Sequence, residues 1–455
     1  MNPHFLNELL GSVISRGRRF LPSAAPSVPQ LDTGALEAKC RELLGAHGEA
    51  SRVALASTIL AQWDRLSDTG RTDFLAMLST RFAPDPGGLE KAILQYRERP
   101  DSASLRALQE ASEPPRQELF RRLNMAPGGT AVLVRIREYL LATKSQSTDL
   151  EVVDADLVHL FSSWFNRGFL VLRPINWSTP ASILEKIIRY EAVHEIGSWD
   201  ELRRRLAPPD RRCFAFFHPQ LVDEPLIFVE VALTTEIPNA IEQVLRPDRI
   251  PLDPQTATTA VFYSISNCQT GLRGISFGDF LIKQVVEELR NEFKAVTTFA
   301  TLSPVPGFAR WLKSELASGD LLQDEDRSLL GAYIEAPDAP VEREHLSSAI
   351  EAAAATYFLR ARSKDGGIID PVARFHLGNG ARLERLNVFG DLSRTAQAQA
   401  LGLMVNYRYI PEDIAANHEA FFHDGEVARS TVVDRSLRRQ RAPRPLTIAL
   451  NKSQI

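Results

Sequence analysis

The chain has 455 residues, 44% of them hydrophobic and 24% charged, with a formal net charge of −4. That length and composition fit two or three soluble globular domains, and the slight acidity argues against a whole-protein nucleic-acid footprint. Its three cysteines, Cys40, Cys213 and Cys268, match no zinc spacing and cannot all pair, and no apolar run reaches the roughly 20 residues of a membrane span.

The first segment carries Arg16, Arg18 and Arg19 against a single acid, Glu8. This faintly resembles a transit peptide and also suits a frayed terminus, so residues 1–33 are read as flexible. From 34 to 165 helix follows helix. LEAKCRELLGAHG, SRVALASTILAQWDRL, RTDFLAMLSTRF, LEKAILQYRE, ASLRALQEA, RQELFRRLNM and GTAVLVRIREYLLAT repeat apolar residues at threes and fours, and turns such as APDPGG and ASEPP separate them. The spacing predicts an all-α helical bundle, whose faces read as packing or subunit-contact surface.

The character changes near Arg167. GFLVLRPI, CFAFFH, PLIFVEVAL, TAVFYSIS and VTTFATL are short β-branched and aromatic runs typical of strands. ASILEKIIRYEAV, SWDELRRRL, residues 278–292 and FARWLKSELA are helical between them. A helical stretch over about 325–362 and two more strand-like runs, RLERLNVFGDL and GLMVNYRYI, follow. Strands that pair consecutively and then strand–helix–strand indicate a mixed α+β domain over 166–432. Residues 433–455 form a basic tail that reads as solvated.

One stretch of this region invites a ligand. SNCQTGLRGISFGDF follows a strand and precedes a helix, with Gly271, Gly274 and Gly278 in the turn. The first N–H groups of a helix lack intrahelical partners and carry the positive end of its dipole, so such a turn can seat an anion. Ser276 and Asp279 form a capping pattern that starts the helix near Phe277, and Arg273 adds a cation. The spacing is neither a dinucleotide fingerprint nor a nucleotide P-loop. Alone, the glycines serve equally well for tight strand–helix packing.

Neighbouring motifs decide the reading. ISNCQTGLRGISFGDFLIKQVVEELRNEF, TLSPVPGFARWL, PVARFHLGNGARLERLN and GLMVNYRYI, in this order, resemble the malonyl-CoA decarboxylase family, as do EPLIFVEVALT and EKIIRYEAVHEI. The resemblance spans roughly Arg167 to Ser430, and the helical region before it suits the family's N-terminal bundle. It implies a multidomain α and α+β protein, with a helical oligomerisation domain followed by a GNAT-like mixed-sheet acyl-CoA domain. The implied reaction converts malonyl-CoA to acetyl-CoA and carbon dioxide, with no metal and no organic cofactor beyond the coenzyme A of the substrate. The family's serine in L-S-P-x-P-G-F falls on Ser303, and its histidine in F-H-L-x-N-G falls on His376. The loop holding the CoA pyrophosphate falls on Gly271, Arg273, Gly274, Ile275, Ser276, Phe277, Gly278 and Asp279. A lysine that the family can need falls on Lys186. The implied partners are malonyl-CoA, acetyl-CoA and further copies of the chain in a homotetramer, with no nucleic acid and no membrane.

Two features depart from the family pattern. Some relatives carry a glutamate where this chain has Ser276. The chain ends Ser453-Gln454-Ile455 rather than in the peroxisomal S-K-L. A bacterial cytoplasm is the expected location, and a mitochondrial one stays open.

Taken singly, Ser303 reads as an N-cap for the helix that follows, His376 as a core or turn histidine, and Lys186 as a solvated side chain. Tyr407 and Tyr409 read as core strand residues, with a pocket-lining place for one of them as the lesser alternative, Asn379 and Gly380 as the turn after His376, and His194 and His218 as structural. Two other functions share the fold: an N-acyltransferase moving an acyl group from CoA to an amine, and a non-catalytic acyl-CoA-binding protein.

Overall fold

The computed structural model describes residues 33–143, 150–275, 280–336 and 342–438. The expectations placed on residues 1–32, on Ser276, Phe277, Gly278 and Asp279, and on 439–455 lie outside the described residues. The chain divides into two compact units, Met1–Leu160 and Phe161–Ile455.

The first unit consists of helices α1 (Thr33–Gly45), α2 (Glu49–Trp63), α3 (Asp68–Arg81), α4 (Pro86–Glu98), α5 (Ser102–Ser112), α6 (Pro115–Asn124), α7 (Gly129–Thr143) and most of α8 (Glu151–Trp164). Their starts are set locally. Ser67, Asp85 and Asp101 accept hydrogen bonds from backbone N–H groups in the first turns of α3, α4 and α5, which have no partner inside the helix. Pro86 and Pro115 stand where no N–H is needed. The apolar faces close over Leu75, Leu78, Leu119, Phe120, Leu133 and Leu140, all buried.

The second unit begins with β1 (Val171–Pro174), α9 (Ala181–Tyr190), α10 (Trp199–Leu206), β2 (Arg211–Phe217), β3 (Pro225–Thr234), α11 (Glu242–Leu245) and β4 (Thr259–Asn267). It continues through α12 (Phe280–Glu292), β5 (Thr298–Thr301), β6 (Ser303–Pro304), α13 (Phe308–Ser318), α14 (Asp324–Glu335), α15 (Arg343–Leu359) and α16 (Pro371–Gly378). It ends with β7 (Arg382–Asn387), α17 (Arg394–Ala400), β8 (Met404–Tyr409), α18 (Ile414–Asp424) and α19 (Thr431–Arg438). The strands form one mixed sheet in the order β1-β2-β3-β4-β5-β8-β6, with β7 also paired to β8. β1 to β4 are antiparallel neighbours, β4 and β5 are parallel across α12, and β8 runs antiparallel to β5, β6 and β7. β3 is buried over all but its last residue, which is why PLIFVEVALT reads as a nearly continuous apolar run.

Two irregularities of β4 position the site. Its register against β3 slips between Glu230 and Val231, leaving Tyr263 as an extra residue, and such a bulge bends a strand. Only Thr259–Phe262 of β4 pair with β5, so no strand covers that side of Tyr263–Asn267 among the described residues. Because β4 and β5 are parallel, the loop after β4 and the residues after β5 leave the sheet at the same end.

A helical region followed by a mixed-sheet α+β domain is the expected order. Details differ. The stretch expected to be helical over 325–362 is two helices, α14 and α15. RLERLNVFGDL is a strand only to Asn387, because the chain turns with Phe389 at φ 59°. Among the described residues no helix is long and apolar enough to cross a membrane.

Candidate active site

Ser303 and His376 lie 73 positions apart, and the fold brings Ser303 Oγ to 3.3 Å from His376 Nε2. Both side chains are buried, with residue exposures of 6% and 3%. Ser303 is not an N-cap. It pairs with Val405 in the short ladder of β6 on β8, and Gly307 takes the N-cap position of α13 without a side-chain bond. Pro304 and Pro306 stiffen the turn between them.

His376 stands in the last turn of α16. Asp370 caps this helix by accepting from Ala373 N at 2.8 Å, and Pro371 fills its first turn. That Asp-Pro start is a readable helix signal, passed over when the segment is taken only as a motif. Asn379 and Gly380 form the turn after the helix, as expected. Gly380 has φ +76°, and a Cβ there would lie 2.2 Å from Ile414 O, so only glycine fits.

The hydrogen bonds around the pair form one chain. Ser303 Oγ donates to Thr301 Oγ1 at 2.9 Å, and Tyr407 N also donates to Thr301 Oγ1, at 3.1 Å. His376 Nδ1 is 2.8 Å from the Tyr409 hydroxyl. One assignment satisfies these contacts: Tyr409 O–H donates to Nδ1, and Nε2–H donates to Ser303 Oγ. The Tyr407 ring stacks on the imidazole, with centroids 4.7 Å apart and planes at 24°. Burial pushes the His376 imidazole down from 6.5 to about 3, so at neutral pH it is an uncharged ring with one N–H aimed at Ser303.

β8 carries much of this arrangement. Between the Ala300↔Arg408 and Ser303↔Val405 pairs the Asn406 side chain takes over from the backbone ladder. Its amide donates to Thr301 O at 2.8 Å and Pro238 O at 3.2 Å. Its oxygen accepts from Arg385 Nε at 3.0 Å and Asn387 Nδ2 at 2.8 Å. A buried amide with every group paired fixes the strand end just before Ser303. Thr301 and Asn406 are the supporting partners that sequence reasoning missed, and Tyr409 is the strand tyrosine that meets His376. The available signal was the i, i+2 spacing of Thr301 with Ser303 and of Tyr407 with Tyr409, which puts each pair on one face of a strand.

Gly307 ties the two halves of the site together. A Cβ there would lie 2.5 Å from the Tyr357 hydroxyl, and that hydroxyl donates to Asp370 Oδ2 at 3.3 Å. Gly307→Ala is therefore expected to displace Tyr357 from the cap of α16, costing about 1–3 kcal/mol and lowering kcat through His376. Urea unfolding and steady-state kinetics on the purified variant check both; wild-type stability would remove the link.

The glycine loop is described as far as Ile275. Thr270–Leu272 form a 3-10 turn in which Gly271 and Leu272 are buried. Ile275 is also buried, and Arg273 is exposed. Gly274 takes φ +81°, with nothing among the described residues within 4 Å of where a Cβ would stand. Helix α12 is described from Phe280. Ser303 falls two residues past Thr301, the partner of Phe262, at the same end of the sheet as the loop. Lys186 is not part of the Ser303–His376 cluster. Its ammonium bonds Asp223 O at 2.9 Å and pairs with Glu224 at 2.7 Å. A cavity of about 700 Å³ beside α12 includes Tyr409 in its wall but neither Ser303 nor His376. Hydrogen-bond geometry, rather than open volume, therefore marks the candidate site.

Comparison with known proteins identifies the family. The family described as malonyl-CoA decarboxylase C-terminal domain matches residues 168–447, and the one described as malonyl-CoA decarboxylase N-terminal domain matches 82–165. The mitochondrial malonyl-CoA decarboxylase of Anser anser anser is 34% identical over 399 residues, covering 80% of this chain and 79% of that protein. The crystal structure of malonyl-CoA decarboxylase from Rhodopseudomonas palustris is 54% identical, with a TM-score of 0.86, over 89% of this chain and 100% of that one. The one from Agrobacterium vitis is 56% identical, with a TM-score of 0.85, over 89% and 99%. With these matches over a site in which Ser303 and His376 meet, the chain belongs to the malonyl-CoA decarboxylase family.

Proposed function

We propose that this protein decarboxylates malonyl-CoA to acetyl-CoA and carbon dioxide through an enolate formed beside Ser303 and His376. The observation that carries the reading is the buried contact between Ser303 Oγ and His376 Nε2. Losing carbon dioxide breaks the bond between the carboxyl carbon and Cα and leaves its electron pair on Cα, delocalised into the thioester. The enzyme has then to stabilise an oxyanion and deliver one proton to carbon. Fixed donors aimed at a developing oxyanion commonly give the largest catalytic effect. Nε2–H of a neutral His376 is such a donor, oriented by Tyr409 from behind and by Ser303 in front. Ser303 orients the substrate carboxylate; its Oγ–H gives the proton to Cα and regains one from His376 Nε2–H. Nδ1 takes the proton of the Tyr409 hydroxyl, which is replaced from solvent in the cavity that Tyr409 borders. No acyl-enzyme is needed. The thioester itself holds the electron pair, so the scheme asks for no metal and no organic cofactor.

In the same proposal the loop from Gly271 to Asp279 seats the CoA pyrophosphate, and the acyl arm runs along the uncovered edge of β4 toward Ser303. The homotetramer expected of the family is assigned to the helical region.

The test is incubation of the purified protein with malonyl-CoA and no amine, following acetyl-CoA by mass spectrometry together with released carbon dioxide. Equal amounts of both are expected. Turnover only in the presence of an amine would favour an acyltransferase, and CoA binding without turnover would favour a binding protein.

A further inference from the structure

We propose that Lys186 is a positioning residue: it clamps the turn between β2 and β3 and, through Glu224 and Gln269, fixes the entry of the loop that receives CoA. The proposal rests on the reading of that loop as the CoA seat. Lys186 projects from α9, whose Ile183, Leu184 and Ile187 are buried in one core cluster with Cys268, the first residue after β4. The ammonium reaches two acceptors on consecutive residues, Asp223 O at 2.9 Å and Glu224 Oε1 at 2.7 Å. Asp223 has φ 57°, a left-handed conformation that is unfavourable for a residue with a side chain and persists only where its surroundings hold it.

The second oxygen of Glu224 faces Gln269 Nε2 at 3.5 Å, and the same nitrogen donates to Pro225 O at 3.1 Å. Cys268 N donates to Leu226 O at 2.8 Å. Gln269 opens the 3-10 turn, its carbonyl accepting from Leu272 N at 3.0 Å. The contacts therefore run from Lys186 through the β2–β3 turn to the residue where the loop starts, while His376 and Ser303 are held by other groups. Losing the lysine charge loosens the seat for the CoA end and leaves the reacting groups in place.

The experiment compares K186M, K186R, E224A and the K186M/E224A pair in the full chain. It measures KM and kcat for malonyl-CoA and the Kd of CoA by calorimetry. K186M is expected to raise KM and the CoA Kd by about fivefold, with kcat within about twofold of wild type, and K186R to stay close to wild type. The double variant is expected to be no worse than E224A alone, because both act on one chain of contacts. A fall in kcat at unchanged KM would make Lys186 part of the chemistry and overturn the proposal. So would effects that multiply, or a K186M variant with unaltered KM. R273A separates this from failure of the underlying reading: if it leaves the CoA Kd unchanged, the loop is not the CoA seat, whatever Lys186 does.

Discussion

His376→Ala is expected to lower kcat for malonyl-CoA by about 10²–10⁴-fold, the range of a general acid placed against the reacting atoms. Ser303→Ala is expected to fall in the same direction by less, because Nε2–H keeps its orientation from Tyr409. Tyr409→Phe keeps the ring and removes only the hydroxyl bonded to Nδ1 at 2.8 Å. Losing one hydrogen bond of ordinary strength corresponds to about five- to tenfold in kcat. Single-turnover kinetics on folded variants, with circular dichroism as the control, rank the three. If His376→Ala and Ser303→Ala both turn over at the wild-type rate while folded, the pair is not the reaction centre. The buried imidazole also has a stability signature. Folded His376 takes a proton only near 3, against 6.5 for an ordinary imidazole. Between these values the unfolded chain binds the extra proton, so stability present above about 6.5 is lost as pH falls toward 3. His376→Ala removes that part of the acid sensitivity.

Arg205→Met is expected to destabilise the second unit by about 3–5 kcal/mol, because it leaves a buried carboxylate without its partner. Arg205 Nη1 donates to Glu230 Oε2 at 2.8 Å, and Nη2 donates to His194 O at 2.6 Å and Glu195 O at 3.2 Å. Glu230 has no exposure, and its other oxygen has no protein partner among the described residues. Burial pushes its carboxyl from 4.5 up to about 7 although Arg205 and then Arg211 pull the other way. Arg205 stays protonated, so the proton at issue is that of Glu230. Its folded value lies above its unfolded one, so between about 4.5 and 7 the folded chain holds the extra proton. The favourable contribution of Glu230 is therefore complete below about 4.5 and is lost as pH rises through 7. Without the arginine the carboxyl resists ionisation further, and the deficit of the variant grows with pH. Urea unfolding of both proteins near pH 5.5 and pH 8 should show the larger gap at pH 8. An equal gap at both, or one below about 1 kcal/mol, would contradict the assignment.

Much of the fold was readable because its signals are local. Asp85-Pro86, Ser67 and Asp101 mark helix starts within one turn of themselves, and the apolar run of β3 reports burial on both faces. The family motifs likewise put Ser303 and His376 on the page as single residues. Before the stiff Pro-Val-Pro-Gly turn, Ser303 reads both as a cap and as a residue at a strand end, and only its pairing with Val405 separates the two. The motifs did not separate Tyr409 from any other aromatic strand residue.

Those decisions belong to the sheet. The pairing of β5 and β6 with β8 sets Thr301 against Tyr407 and places Tyr409 behind His376, across separations of 106 and 33 residues. Lys186 depended likewise on a turn 37 residues away. The sequence by itself determined the order of the elements and put forward Ser303 and His376 as candidates, because periodicity, caps and motifs are written in consecutive residues. Tertiary structure alone decided the hydrogen-bond partners of His376, its burial and the partners of Lys186. A proton's position and a charge's cost depend on burial and on partners that only long-range pairing supplies.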